Sequence, residues 1–167
     1  EAGKMKDGQP YETEDSLGNH DYMSIKGSFV WKKNVQPDYV WFNGTANHYL
    51  VGDKIKEHPV QINSLNGSFE DKNSKIVPVK INTGDQIYDK QYNYLIIPKL
   101  YAPETGDSAY WVDFDWNTAA EAGMKRIGLP FSGTYGFTNT IMYWPVNHMV
   151  APKENSVSCA ECHTRNN

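Results

Sequence analysis

Cysteine is nearly absent from this chain: 167 residues hold two, Cys159 and Cys162. That leaves room for at most one disulfide, and a structural zinc site would lack the second pair of ligands it normally takes. Long apolar runs are missing too. No segment approaches the roughly 18 apolar residues of a membrane span. There is no excess of basic residues, since 16 Lys and Arg against 20 Asp and Glu give a net charge of -4. That balance argues against a nucleic-acid partner. Apolar residues make up only 39% of the chain, and the mean hydropathy is -0.66. One domain with a modest core is the expectation. Neither an initiator Met nor a signal peptide opens the sequence, so the expectation is a processed chain or a fragment. No internal repeat or low-complexity tract is present.

What is abundant is aromatic and turn-forming: eleven Tyr, five Trp, thirteen Gly and nine Pro. These suggest a loop-rich chain with short elements. The two cysteines then acquire a meaning, because they belong to the run Cys159-Ala-Glu-Cys162-His163. Two thiols at i and i+3 followed by histidine are what covalent attachment of a c-type haem requires. The thiols add to the porphyrin vinyl groups, and the imidazole becomes the proximal iron ligand. On one helical turn all three residues share a face. A disulfide between the two cysteines is a weaker reading. A thioredoxin-like redox pair would need a helix after the motif, and only Thr164–Asn167 follows. Haem c attachment takes place outside the cytoplasm, so the protein is expected to be exported, periplasmic or extracellular.

Along the chain, residues 1–27 are polar and read as extended or loop. Residues 28–110 read as short strands and loops, with strands expected at 28–31, 39–42 and 49–51. Asn43-Gly44 marks a turn, and residues 61–75 are turn-rich. Lys75–Ile81 alternates well, but Pro78 demotes it to an edge strand or bulge. Tyr94–Ile97 is a short apolar run ended by Pro98. Residues 111–167 read as a helical haem-binding part. One helix is predicted over Thr118–Ile127, with Thr118 and Glu121 as a capping box and Gly128 and Pro130 closing it. A second is predicted near 152–164, with Pro152 at its first position. The fold class expected is α+β and loop-rich, in a single domain. A small cytochrome with an N-terminal motif and a downstream Met ligand does not fit, nor does a four-helix bundle, which needs four long helical stretches.

Two runs, Ser28–Ile55 and Tyr110–His163, resemble the C-terminal part of the octahaem c-type cytochromes of the tetrathionate reductase family. They include the motifs WFNG, FDW and MYWP-x-x-HMVAPK. The intervening SKIVPVKINTGDQIYDKQYNYLIIPKLY and the opening GKMKDGQPYE are similar to that family as well, so the resemblance covers essentially the whole chain. It implies a periplasmic or surface multihaem enzyme with mostly bis-histidine haems. One atypical, lysine-ligated haem would be the place where sulfur or nitrogen oxyanions are reduced. This chain has one haem motif and not eight, so the resemblance carries over no catalytic residue.

A six-coordinate iron needs a group opposite His163. His148, in the motif the resemblance marks as shared, is the favoured candidate for this haem or a neighbouring one. Met149 is an alternative that would raise the potential. His20, His48 and His58 sit among polar neighbours and read as surface residues, although His20 or His48 could serve a haem of another segment. Asp113 and Asp115 flank Phe114 and could pass for a paired carboxylate site, though Asp115 suits a helix entry equally. Tyr143 and Trp144 could wall a haem edge or simply pack. Asn43-Gly44-Thr45 and Asn66-Gly67-Ser68 match glycosylation sequons but are turn-type tripeptides. The leading expectation is electron transfer through one covalent haem c within a multihaem assembly. Other multihaem segments or chains, redox donor or acceptor proteins, and an oligomeric state go with it. The alternatives are a segment of an octahaem reductase acting on tetrathionate, nitrite or hydroxylamine, and a structural subunit of an extracellular cytochrome filament.

Overall fold

The computed structural model describes residues 2–32 and 35–146. Its elements begin with four strands in the polar opening: β1 (Met5–Lys6), β2 (Gln9–Pro10), β3 (Glu12–Glu14) and β4 (His20–Met23). Next come β5 (Gly27–Ser28), β6 (Asp38–Phe42), β7 (Ala46–His48), β8 (Val60–Gln61) and β9 (Asn63–Leu65). The long β10 (Lys75–Asp89) and the short β11 (Tyr94–Leu95) precede α1 (Tyr110–Asp113) and α2 (Trp116–Arg126), and β12 (Tyr135–Pro145) follows. The chain is strand-rich, with only two short helices among the described residues. The expected α+β balance is thus corrected toward β, and residues 111–145 are not helical throughout. The helix expected over 152–164 lies outside the described residues.

Two compact units are formed. The first comprises Glu1–Trp31, His48–Asn63 and Thr83–Met142. Its N-terminal part, expected to be extended or loop, is built from short paired strands. Asp7 and Gly8, both at positive φ (52° and 76°), close a hairpin in which Met5 faces Pro10 and Lys6 faces Gln9. Positive φ at both turn positions matches the twist of paired strands. β3, β4 and β5 form an antiparallel sheet. The strand expected at 28–31 is assigned only to Gly27–Ser28, although the Phe29 N–H still donates to the Asp21 carbonyl of β4 at 2.9 Å; Phe29 and Trp31 stack on each other at 6.3 Å. The strand expected at 49–51 falls earlier, at β7. There the Asp53 carboxylate accepts the Leu50 N–H (2.9 Å), and Gly52 takes φ 91°, so the chain turns.

In this unit β10 lies between β11 and β12, and β8 runs parallel to β12. Ile87, Tyr94 and Ile96 pack on Ala120 and Met124 of α2. The helix sits close because position 123 is glycine: a Cβ there would come within 1.9 Å of the Ile97 carbonyl oxygen. α2 starts two residues before the expected capping box. Its N-cap is Asp115, whose carboxylate accepts the Asn117 and Thr118 N–H groups at 2.8 and 3.3 Å. Asp is the stronger cap, so Thr118 is drawn inside the helix. Lys125 and Arg126 occupy the last turn as expected, and Gly128 takes φ 74°.

The described residues of the second unit fall within Lys32–Asn47, Ser64–Asn82 and Tyr143–Val146. Here β6 pairs antiparallel with β10, placing Trp41 opposite Ile76, Val40 opposite Val77 and Tyr39 opposite Pro78. Pro78 is therefore not on a sheet edge, contrary to expectation. Its carbonyl accepts the N–H of Val146 (3.0 Å) on the side away from β6. In a strand the N–H and C=O of one residue point the same way, so Pro78 owes β6 no hydrogen bond. The missing donor falls beside the end of β12, where a ladder can lose one bond. With side chains alternating across the sheet, Val77 and the fully buried Val79 take one face. Tyr39, Trp41, Ile76 and Pro78 take the other.

Candidate haem site

Cys159, Cys162, His163, His148 and Met149 lie outside the described residues. The described chain leads toward them through β12, which ends at Tyr143-Trp144-Pro145; of these, Trp144 is exposed.

The other sequence candidates are described, and the fold does not bring them together. Among the described residues no group of three or more His, Cys, Asp or Glu side chains could hold a metal ion. His20 ends β4's pairing with β3, and its Nδ1 is shielded from solvent. Glu12 Oε2 lies 3.3 Å and Glu14 Oε1 3.9 Å from that nitrogen, within attraction of a protonated ring but not aligned as a hydrogen bond. The backbone carbonyl of His20 accepts the Trp31 indole N–H at 2.7 Å. His58 was expected to be simply solvated. It is exposed, yet its Nδ1 lies 2.7 Å from Thr138 Oγ1, which fixes the ring. His48 is exposed on β7.

Asp113 and Asp115 do not form a carboxylate pair. Asp113 accepts the Gly106 N–H (2.8 Å) and Asp115 caps α2, so both are committed to backbone donors. Between them Phe114 takes φ 53° as the C-cap of α1, and Trp116 stacks on the buried Tyr110 at 3.6 Å. The FDW motif is therefore a joint between two helices. Both sequons are likewise turn machinery. Asn43 Oδ1 accepts from the Thr45 N–H and hydroxyl (3.0 and 2.7 Å), while its Nδ2 donates to Asp71 at 2.8 Å. That side-chain bond from Asn43 and one from the Asn73 backbone hold the Asp71 carboxyl below its usual range. Asn66 Oδ1 accepts from Asn47 Nδ2 at 3.0 Å.

One buried carboxylate, Asp89, drew no attention in the sequence. Fully buried, it ends β10. Oδ1 accepts the Gln91 and Tyr92 N–H groups at 2.9 and 2.8 Å, and Oδ2 accepts Ser132 N–H at 2.7 Å. Burial alone would push this carboxyl up, but the hydrogen bonds from Tyr92, Ser132 and Gln91 together outweigh it and hold the pKa down. The adjacent Tyr94, whose hydroxyl donates to the Pro130 carbonyl, is pushed the other way by burial and by the Asp89 charge. An Asp followed by two turn residues and a donor-rich Ser-Gly-Thr stretch was the only sequence signal for this hub. Its chemistry is structural, since its partners are the backbone N–H groups of Gln91, Tyr92 and Ser132 together with the Ser132 side chain.

A c-type haem needs two thiols, an imidazole and apolar cover for its ring. The first three are in the sequence at 159–163. Among the described residues, the second unit carries an exposed apolar sheet face that includes Tyr39 and Ile76.

Comparisons with known proteins agree with this chemistry. A family model for bacterial cytochrome c matches residues 1–166. Among solved structures, the chain is similar to an octahaem cytochrome c from Shewanella oneidensis, with 45% sequence identity and a TM-score of 0.82. The match covers 97% of this chain and 37% of that one, so the chain spans well under half of its structural relative. No curated protein matches.

Proposed function

The chain belongs to the bacterial cytochrome c family, and from that premise we propose that it relays electrons through one haem c held on Cys159 and Cys162, as part of a multihaem assembly. The observation that carries the reading is the complete Cys159–His163 attachment run inside a family match spanning residues 1–166. When bound, haem supplies an iron that exchanges single electrons reversibly. Cys159 and Cys162 would hold the ring to the chain through thioether bonds. His163 would ligate the iron, with His148 serving this iron or that of a neighbouring haem. Two protein ligands on one iron leave no open position for substrate, which suits a relay and not a catalyst. Attachment outside the cytoplasm makes the protein periplasmic or extracellular.

The coverage of 97% of this chain against 37% of the octahaem relative favours a second reading, in which the chain is a segment of a larger octahaem oxidoreductase. Tetrathionate, nitrite and hydroxylamine are its candidate substrates, and other haem-bearing polypeptide its partner.

A pyridine haemochrome assay with intact mass tests the main reading. One haem per chain is expected, and a mass equal to the bare polypeptide ends it. Low-spin spectra indifferent to added nitrite or cyanide support relay. A high-spin, ligand-binding iron supports catalysis instead. Size measurement of the native protein separates a free subunit from a segment of a larger assembly.

A further inference from the structure

We propose that the groove between α2 and residues 129–133 is a docking site for an extended, uncharged peptide segment of a partner polypeptide. The inference stands apart from the haem reading and concerns the first unit alone.

After α2, Gly128 turns the chain at φ 74°, the Leu129 N–H donates to the Met124 carbonyl (3.1 Å), and residues 129–133 form a groove with the helix. Its volume is about 650 Å³, within the ~300–1,000 Å³ of ligand sites. Asn117, Glu121 and Lys125 line one wall, and Leu129 and Phe131 the other. At 1.5 Å per residue, the helical wall from 117 to 125 is roughly 12 Å long. An extended peptide of about four residues, at ~3.3 Å each, spans the same length. Both walls are held from behind, so the groove is preformed. Gly123 seats the helix against the Ile97 carbonyl. On the other wall, the Pro130 carbonyl accepts the Tyr94 hydroxyl, and the Ser132 N–H donates to Asp89 at 2.7 Å. Leu129 and Phe131 pack on the core of the unit.

The chemistry facing the groove fits a peptide backbone. Pro130 and Ser132 commit their backbone groups to Tyr94 and Asp89, but Phe131 between them does not. Among the described residues its N–H and its carbonyl make no hydrogen bond. An extended peptide laid beside Phe131 can take both, as a strand added to an exposed edge does. Backbone groups in an extended chain point alternately to its two sides, so the peptide residues flanking that contact turn theirs to α2. There Glu121 can accept an N–H, Lys125 can donate to a carbonyl, and Asn117 can do either. Among the described residues the side chains of these three make no ion pair or hydrogen bond. Glu121 and Lys125 together carry no net charge, which complements neutral peptide groups better than an ion. Leu129 and Phe131 supply apolar contact for a peptide side chain.

The test titrates the full, isotope-labelled chain with the blocked tetrapeptide acetyl-Ser-Leu-Val-Ser-amide and follows the backbone amide resonances. Saturable shifts at Phe131, Glu121 and Lys125 are expected, with slowed exchange of the Phe131 N–H. Methylating both central nitrogens of the peptide removes the donors to Phe131 and Glu121, and should weaken binding by about ten-fold or more, the loss of two hydrogen bonds. Glu121→Ala combined with Lys125→Ala, both at exposed positions, should weaken the unmodified peptide about five-fold or more. A Phe131 resonance that does not move at millimolar peptide overturns the inference, and so does equal binding of the methylated peptide. Equally tight binding of acetyl-leucine-amide assigns the groove to a small molecule and overturns it too. None of these outcomes bears on the haem, which the pyridine haemochrome assay reports separately.

Discussion

Replacing Asp89 by Asn keeps the shape of the side chain and removes its charge. The amide can keep its oxygen toward Gln91 and Tyr92, so those two bonds survive as neutral ones. Charged hydrogen bonds contribute about 1 kcal/mol more than neutral ones, so the pair loses roughly 2 kcal/mol. The amide nitrogen then faces the Ser132 N–H, donor against donor, across the space of the former 2.7 Å bond. Leaving that N–H unpaired costs a further ~1–3 kcal/mol. The total is roughly 3–5 kcal/mol, and at ~2–4 °C per kcal/mol for a chain of this size, a fall in Tm of about 10 °C. Asp89 has its pKa lowered on folding. Its contribution is therefore fully present above the unfolded carboxyl value of about 3.9 and is lost as pH falls through the lower, folded value. Urea unfolding of the haem-loaded protein, followed by far-ultraviolet circular dichroism, measures the gap between wild type and Asp89→Asn. The gap is expected to be full at neutral pH and to narrow in acid. A loss under about 1 kcal/mol, or a gap that is flat with pH, would refute the assignment of Asp89 as a charged hub.

The same hub predicts that Tyr94 ionises above the ordinary tyrosine range, because burial and the Asp89 charge oppose the phenolate. A folded value raised above the unfolded one means that its contribution holds below about pH 10 and is lost as pH rises further. Ultraviolet phenolate titration of wild type against Tyr94→Phe checks it, a normal titration in both counting against it. Gly123→Ala is expected to destabilise despite alanine's better helix propensity, toward the upper end of the ~1–3 kcal/mol typical of overpacking, because the new Cβ would meet the Ile97 carbonyl at 1.9 Å. Thermal unfolding reads the sign directly. Asp115→Ala removes the cap that accepts two N–H groups of α2, and should lower stability by about 1 kcal/mol. Asp115→Ser should recover most of it. In Cys162→Ser one thioether is lost, so the pyridine haemochrome band should shift toward that of a singly attached haem, and no shift would dissociate Cys162 from the ring.

Some of this was legible in the sequence because it is local. Residues 39–42 and 118–127 differ from β6 and α2 by one or two residues at their ends, since alternation and 3.6-residue periodicity are written in consecutive residues. The hairpin at Asp7-Gly8 carried an equally local signal, but it was outweighed by the polarity of its flanks. Strands of Met-Lys and Gln-Pro bury little and look like loop. Pro78 failed for another reason. A proline's cost in a strand depends on which neighbour its missing N–H would have faced, and that is fixed by β6 and Val146, far away in the chain. Asp89 shows the same thing, because one of its three donors, Ser132, comes from the distant loop after α2.

The haem motif and the sheet face of the second unit divide along this line. Attachment needs three residues within five positions, so Cys159–His163 declares its chemistry unaided. Tyr39 and Ile76 share a face only because β6 and β10 pair, and no short window of sequence contains both. Each also looks ordinary alone, a strand tyrosine and an isoleucine in an alternating run, so their common face is visible only once the strands are in register.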